Sequence, residues 1–492
     1  MDENEKNQNN EESRSTLVIT DRNSKPMLQE LLLDRIIEKT TFSRHRLFIF
    51  LCMIFIFIAD GIEMFLFGLI IIPFKKYFSL EEGPLLEFTS STLFLGIALG
   101  SLLVSYLSDK LSRVTIVLSS SLLLTISHLI MTIFLHLIVF IVCRTLIGLS
   151  LGILMPIFIN IYGEYLPSKY RGFLLMFAWS FFGVGMMIMN TTALFIMPEL
   201  EEEQLQNLFI ILLTFPSLAT TSCFFLLSDG PRNILLINDP KKNCIAFDIL
   251  NYINGKKLTK EEEIQLIEEL NITKKNITDG KGVNIFKEMF SSYFKRTTIL
   301  MILILFSLSY IGFGISSVSS LVLDHLNEES EQKEEKSNKN IIINQLMISV
   351  GEFSADIIGG FIGEIKCLGR KGAIIIFAIL AMILYAPAPY YQVLFEFMTP
   401  VGSGCTSIYI NIILDYVVEL YPTRIRDKST SLLYMVFRMS GFATQFMSIG
   451  FFQIVYFLPY VVYLIFALLI IIFTALLPYE VAGKSLDKTY NN

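Results

Sequence analysis

Twelve times along the chain an apolar run recurs that is long enough to cross a bilayer as a helix, which takes roughly 18 residues or more. The spans are expected near 47–73, 87–107, 114–133, 136–160, 172–196, 207–227, 298–322, 341–363, 372–389, 392–417, 429–451 and 456–477. The chain is 53% hydrophobic and 17% charged, whereas soluble domains carry about a quarter charged residues. The expected fold is therefore an all-α membrane protein of twelve transmembrane helices. Spans nine and ten nearly touch, and "APAPYY" is the expected turn between them, because Pro387 and Pro389 disfavour helix continuation.

The net charge of −6 excludes little, because the charges are sorted by location. Loops after even spans carry Lys110, Arg113, Lys169, Arg171, Lys366, Arg370, Lys371, Arg424, Arg426 and Lys428. The opposite loops are acidic, with Glu81, Glu82, Glu201, Glu202 and Glu203. The bias of Lys and Arg toward cytosolic loops puts both termini in the cytosol. On that topology the "NIT" triplets at Asn271 and Asn276 face the cytosol and go unglycosylated.

Five regions follow. Residues 1–45 form a cytosolic tail that starts polar. It ends in an amphipathic stretch with Leu28, Leu31, Leu32 and Ile36 near helical spacing. It has no basic start, short apolar core and cleavage site, so span one is expected to act as the insertion signal. Residues 46–227 and 298–478 are two six-helix bundles, 228–297 a polar cytosolic linker, and 479–492 a cytosolic tail.

Several chemistries have no residues to carry them. The six cysteines make no CxxC pair, so neither a zinc site nor a disulfide framework is expected. The four histidines are scattered and show no metal spacing. No phosphate-binding loop or nucleophile elbow is present. The reading is a non-enzyme without cofactor, metal or nucleic-acid partner, a monomer in the lipid bilayer.

The loop after span four reads "GEYLPSKYR", and 255 residues further on the loop after span ten reads "VELYPTRIR". Both fit E-x-x-P-[ST]-[KR]-x-R. Arg113, after span two, matches Arg370, after span eight, at an offset of 257. Two matches at nearly one offset argue for a duplicated unit. The offset covers an even number of spans, so the two repeats run parallel. Two parallel six-helix halves flanking a central site is an alternating-access plan. Asp109, Arg113, Glu164 and Arg171 in one half, with Arg370, Glu419 and Arg426 in the other, are the expected cytosolic gate. Arg113–Glu164 and Arg370–Glu419 are its expected pairs. A positive-inside belt alone accounts for the bases but not for the matched acids.

Five stretches carry a resemblance. They are "LLLDRIIEKTTFSRHRLFIF", "ADGIEMF", "SYLSDKLSRV", "CRTLIGLSLGILMPIFINIYGEYLPSKYRG" and "ELYPTRIRDKSTSLLYMVFRMSG". On these the chain resembles the major facilitator superfamily across residues 28 to 488. It is most similar to the branch of synaptic-vesicle-glycoprotein-like proteins and organic-ion transporters. The resemblance implies the major facilitator fold and transport of a small solute. Ser112 and Val114 depart from the family's loop motif, so the substrate class does not carry over.

Span one contains Asp60 and Glu63, three residues apart and near one face. A carboxylate at mid-membrane costs about 2.5–3.5 kcal/mol on insertion scales, so this face is expected to meet a cavity or a cation rather than lipid. The resemblance puts basic residues at Arg144 and Arg438, the expected partners. Trp179 matches a family position in span five. Glu352 lies one turn from Asp356 in span eight, and Asn411, Asp415 and Glu419 repeat every four residues down span ten. Asp60, Glu63, Arg144, Trp179, Glu352, Asn411 and Arg438 are the expected substrate- and proton-binding residues, against the competing reading of buried pairs that only fix packing. The function expected is proton-coupled secondary transport of a small organic solute across a plasma or vesicle membrane. The alternatives are a facilitative uniporter of sugar-like solutes and a non-transporting receptor on the same scaffold.

Overall fold

The computed structural model describes residues 44–80, 83–108, 111–166, 174, 177–227, 247–248, 251, 259–260, 263, 266, 288–329, 334–362, 369–421 and 426–478. The expected N-terminal amphipathic stretch, most of the 228–297 linker and the C-terminal tail lie outside them.

Helix α1 spans Arg44–Tyr77, α2 Pro84–Ser108, α3 Arg113–Ile133 and α4 Leu137–Tyr165. Helix α5 spans Phe177–Ile196, α6 Glu202–Leu226 and α7 Lys295–Glu328. Helix α8 spans Glu334–Ile362, α9 Gly369–Tyr385, α10 Gln392–Glu419, α11 Arg426–Ile454 and α12 Leu458–Leu476. Eleven of these helices are long and apolar enough to cross a membrane among the described residues. The remaining one, α11, falls short in apolar content because Arg438, Ser440, Thr444, Gln445 and Ser448 face inward. It crosses the bundle beside α2 and α7 all the same. A short 3-10 turn, Ala388–Tyr390, separates α9 from α10 at the two prolines.

The packing repeats with the chain. Helix α2 lies along α4 and α3 along α4; in the second half α8 lies along α10 and α9 along α10. Between the halves α2 meets α11, and the matching pair α8 meets α5. The same duplication reaches individual atoms. A Cβ on Gly96 of α2 would sit 2.1 Å from the Thr145 carbonyl oxygen of α4. A Cβ on Gly351 of α8 would sit 2.3 Å from the Pro400 carbonyl oxygen of α10. Gly351 follows Gly96, and Pro400 follows Thr145, by the 255 residues that separate the loop motifs. In the first half the contact is doubled by two G-x-x-x-G runs, Gly96–Gly100 and Gly148–Gly152, which face each other. Small residues let helices approach where lipid provides no hydrophobic drive between them.

Contacts between the halves run from mid-bundle toward the end opposite the basic loops. The ring of Phe94 on α2 stands 4.8 Å from that of Phe313 on α7. Asn190 on α5 donates to Ser349 on α8 at 2.7 Å, and the Ser320 hydroxyl on α7 donates to the Gly68 carbonyl on α1. Nearest that end, Asn338 on α8 donates to the Glu199 carbonyl at 2.7 Å.

Replacing Gly96 or Gly351 with Val is expected to lower stability by about 1–3 kcal/mol or more, because a helix backbone must shift to admit the side chain. The same change at Gly83, which has no atom within 4 Å of its Cβ position, serves as the control. Thermal unfolding of the purified variants in detergent measures both.

Candidate functional site

Asp60 and Glu63 both lie on α1, and both are buried, at 1% and 0% exposure. Their three-residue spacing still leaves about 60° between them around the helix, and the bundle uses that angle. Glu63 turns into the first half. Its Oε2 accepts from Arg144 Nη1 of α4 at 2.8 Å, while Arg144 Nη2 donates to the Glu63 carbonyl at 3.0 Å. Its Oε1 contacts His128 Nδ1 of α3. The far nitrogen of His128 lies 3.3 Å from the Phe209 carbonyl of α6. A carbonyl can only accept, so Nε2 carries the hydrogen in that contact. Four helices of the first half are tied together at this one cluster.

Asp60 turns toward the second half. Its Oδ2 makes no hydrogen bond, and its electrostatic neighbours are Arg438 and Glu63. Arg438 on α11 donates to Met64 Sδ at 3.8 Å, one turn above Asp60. Its guanidinium also stands 5.8 Å from the ring centres of Phe313 and of Phe437. No carboxylate lies within ion-pair distance of Arg438 among the described residues.

A cavity opens beside this pair, between the two halves, with about 870 Å³ of free space counting the part that opens to solvent. Met64, Phe65, Trp179 and Phe182 line it from the first half. Arg438, Glu352, Asp356, Asn411 and Tyr385 line it from the second. A π-helical turn, Tyr310–Gly314, interrupts α7 where Ile311, Gly312 and Phe313 reach the cavity; such turns gather at functional sites. The acids of α8 are held differently. Asp356 accepts from Ser407 at 2.6 Å and from Asn411 at 2.7 Å, both on α10. Glu352, one turn away, has no hydrogen bond to the described residues. Trp179 stands edge-on to Phe57 at 5.0 Å and stacks on Phe182 at 6.3 Å.

Of the seven expected binding residues, Trp179, Glu352, Asn411 and Arg438 line the cavity, Asp60 borders it through Arg438, and Glu63 and Arg144 pair inside the first half. Of the expected gate, Arg113 opens α3, behind the capping hydroxyl of Ser112, and Arg370 sits in the first turn of α9. These are matched places in the two halves. Asp109 and Arg171, and the side chains of Glu164, Glu419 and Arg426, lie outside the described residues, as does the side chain of Asp415.

His128 is not among the expected site residues, because its spacing to the other histidines shows no metal pattern. Its signal was depth alone: an ionisable group inside a span needs a partner. Tyr385 carries no signal beyond lying in an apolar span, whereas Ser407 extends the series of Asn411, Asp415 and Glu419 by one turn.

Residues 49–445 match the family profile of the Major Facilitator Superfamily. The chain therefore belongs to that superfamily of multi-pass membrane transporters. It is similar to the synaptic vesicle 2-related protein of Pongo abelii, 24% identical over 88% of this chain and 78% of that one. It is also similar to the organic cation/carnitine transporter 7 of Arabidopsis thaliana, 22% identical over 70% of this chain and 74% of that one. In fold it is similar to the proton:xylose symporter XylE bound to 6-bromo-6-deoxy-D-glucose. The TM-score is 0.69 at 15% identity, covering 91% of this chain and 99% of that one.

Removing one member of a buried ion pair leaves an uncompensated charge, at about 3–5 kcal/mol. Glu63→Ala is expected to lose stability in that range, and Glu63→Met with Arg144→Met to recover part of it. Asp60→Asn, which breaks no hydrogen bond, is expected to melt close to the parent. Unfolding midpoints of the purified variants test the separation of the two acids.

Proposed function

We propose that the protein is a proton-coupled secondary transporter of a small organic solute, with Asp60 as the coupling carboxylate. The observation that carries this is the split between the two acids of α1. Glu63 is locked by Arg144 and His128 within one half. Asp60 has an unsatisfied oxygen and faces Arg438, which belongs to the other half. A proton on Asp60 releases Arg438 for solute; its loss restores the attraction across the interface. A charge interaction that spans two rocking bodies changes with their angle, which is what coupling needs. The printed activities of the relatives, organic cation or carnitine transport and proton:xylose symport, support the class and leave the solute open.

Contacts between the halves from mid-bundle to the end opposite the basic loops support a state closed on that side. With Lys and Arg marking the cytosol, the closed side faces away from it and both termini lie inside. The matched charges after α2, α4, α8 and α10 are proposed as the gate that closes the other side. Similarity to a synaptic vesicle 2-related protein favours a vesicle membrane.

Uptake into liposomes holding the purified protein tests the coupling. The panel covers organic cations, organic anions, sugars and nucleosides, with and without an inward proton gradient. Accumulation is expected only with the gradient. Asp60→Asn is expected to abolish accumulation while keeping exchange of solute across the membrane. Gradient-driven accumulation that survives in Asp60→Asn would remove Asp60 from the coupling. Flux indifferent to the gradient in the parent protein would make it a uniporter, and no flux of any solute by folded protein would point to a receptor.

A further inference from the structure

Resting on the transport reading above, we infer that Asn190, Gln345 and Ser349 form a hydrogen-bonded latch on one edge of the interface between the halves. The latch holds shut the side opposite the basic loops, and it parts each time that side opens. Four helices meet in it. The Asn190 side-chain amide on α5 donates to the Ser349 hydroxyl at 2.7 Å and to the Gln345 backbone carbonyl at 3.1 Å, both on α8. The Gln345 side-chain amide donates in turn to Ser319 on α7 at 2.7 Å. The next residue, Ser320, donates to the Gly68 carbonyl of α1. Helices α1 and α5 belong to one half, α7 and α8 to the other.

The duplication separates this contact from packing common to both halves. The repeat offset of 255 residues matches Asn190 with Gln445 of α11, and Ser349 with Phe94 of α2. The matched amide does not cross. Gln445 donates to the Phe313 carbonyl at 2.9 Å and accepts from the Ser317 hydroxyl, both on α7 of its own half. The difference lies in what stands opposite. Ser349 offers Asn190 an acceptor, whereas Phe94 offers a ring, which packs against the ring of Phe313. One edge of the interface therefore carries amide and hydroxyl contacts where the other carries aromatic ones.

The latch is built to part. Both hydrogens of the Asn190 amide are used, yet Asn190 Oδ1 is buried without a hydrogen bond. A buried acceptor left empty is unfavourable. Water that reaches it on opening offsets the bonds given up, so the closed and open forms stay near balance, as reversible gating needs. The latch also touches the cavity, because Ser319 lines it. The Ser319 hydroxyl spends its hydrogen on the Ser316 carbonyl at 3.1 Å, so its oxygen is the acceptor for Gln345. A solute donor that takes this oxygen takes it from Gln345, which joins the cavity wall to the latch.

The test is the distance between spin labels on the two halves of the purified full-length protein in detergent. Glu201→Cys, just before α6, and Glu328→Cys, at the end of α7, carry the labels, and both positions are exposed. Cys244→Ser and Cys367→Ser remove two competing thiols, and the other four are buried. Asn190→Leu is expected to raise the ratio of long to short distances about twofold to tenfold, the range of a hydrogen bond. Asn190→Asp should raise it further, because it sets a carboxylate against the Gln345 carbonyl. Ser319→Ala should move it in the same direction. Gln445→Leu should leave it in place, because that amide bonds within its own half. An unchanged distribution in both Asn190 variants overturns the inference, and so does an equal shift in Gln445→Leu. A second measurement needs no loss of contact. Asn190→Cys with Ser349→Cys, without the labels, should be joined by copper phenanthroline into a disulfide that stops uptake into liposomes, and dithiothreitol should restore it. Uptake that continues with the pair joined overturns the latch. The expected distance shifts without flux of any solute by the parent protein would leave the latch standing and overturn the transport reading. Flux without the shifts would overturn the latch alone, and neither would overturn both.

Discussion

Inside a bilayer no water is on hand for a polar group, and each one left unmatched costs several kcal/mol. That constraint organises this protein. Glu63, Arg144 and His128 satisfy one another at 0–1% exposure, and in doing so they tie α1, α3 and α4 into one body. Asp356 is satisfied by Ser407 and Asn411, which joins α8 to α10 in the other. What the constraint leaves over is informative: at the junction of the bodies Asp60 Oδ2 has no hydrogen bond, and Arg438 and Glu352 line the cavity with no ion pair among the described residues. The proposed handling of a proton and a solute rests on these groups.

The halves themselves are held by close backbone approach. Gly96 against Thr145 and Gly351 against Pro400 are one contact made twice, at equivalent positions. These contacts fall within halves, which suits each half to act as a unit in the proposed rocking. Contacts between halves are mixed in kind: an amide to a hydroxyl, a hydroxyl to a carbonyl, a ring on a ring, and close approaches of Gly68 to Ser316 and Gly183 to Phe353. Rigid bodies joined by exchangeable contacts are suited to rocking about a central cavity.

Much of the fold was legible without coordinates. The apolar runs marked the helices to within a few residues, since span length is imposed by bilayer thickness. The turn at Pro387 and Pro389 followed from ring chemistry. The duplication was legible from two loop motifs, and the matched contacts of Gly96 with Thr145 and Gly351 with Pro400 repeat it in atoms. Span eleven met its helix even though its polar residues keep it below the apolar content of the others. The site was legible only in part. Intramembrane charge pointed to Asp60, Glu63, Arg144, Glu352 and Arg438 as a set, but not to who pairs with whom. His128 went unseen because nothing in its neighbours' identity marks a hydrogen bond to a residue 65 positions away.

By itself the sequence determined the number and length of the helices, the gathering of basic residues on one set of loops, the repeat and the presence of charge at membrane depth. These depend on local composition and on the thickness of the hydrocarbon layer, both readable along one dimension. Only the tertiary structure decided that Glu63 belongs to the scaffold while Asp60 faces across the interface. An angle of about 60° on α1 separates those fates, and what lies at each angle is set by which helix packs there.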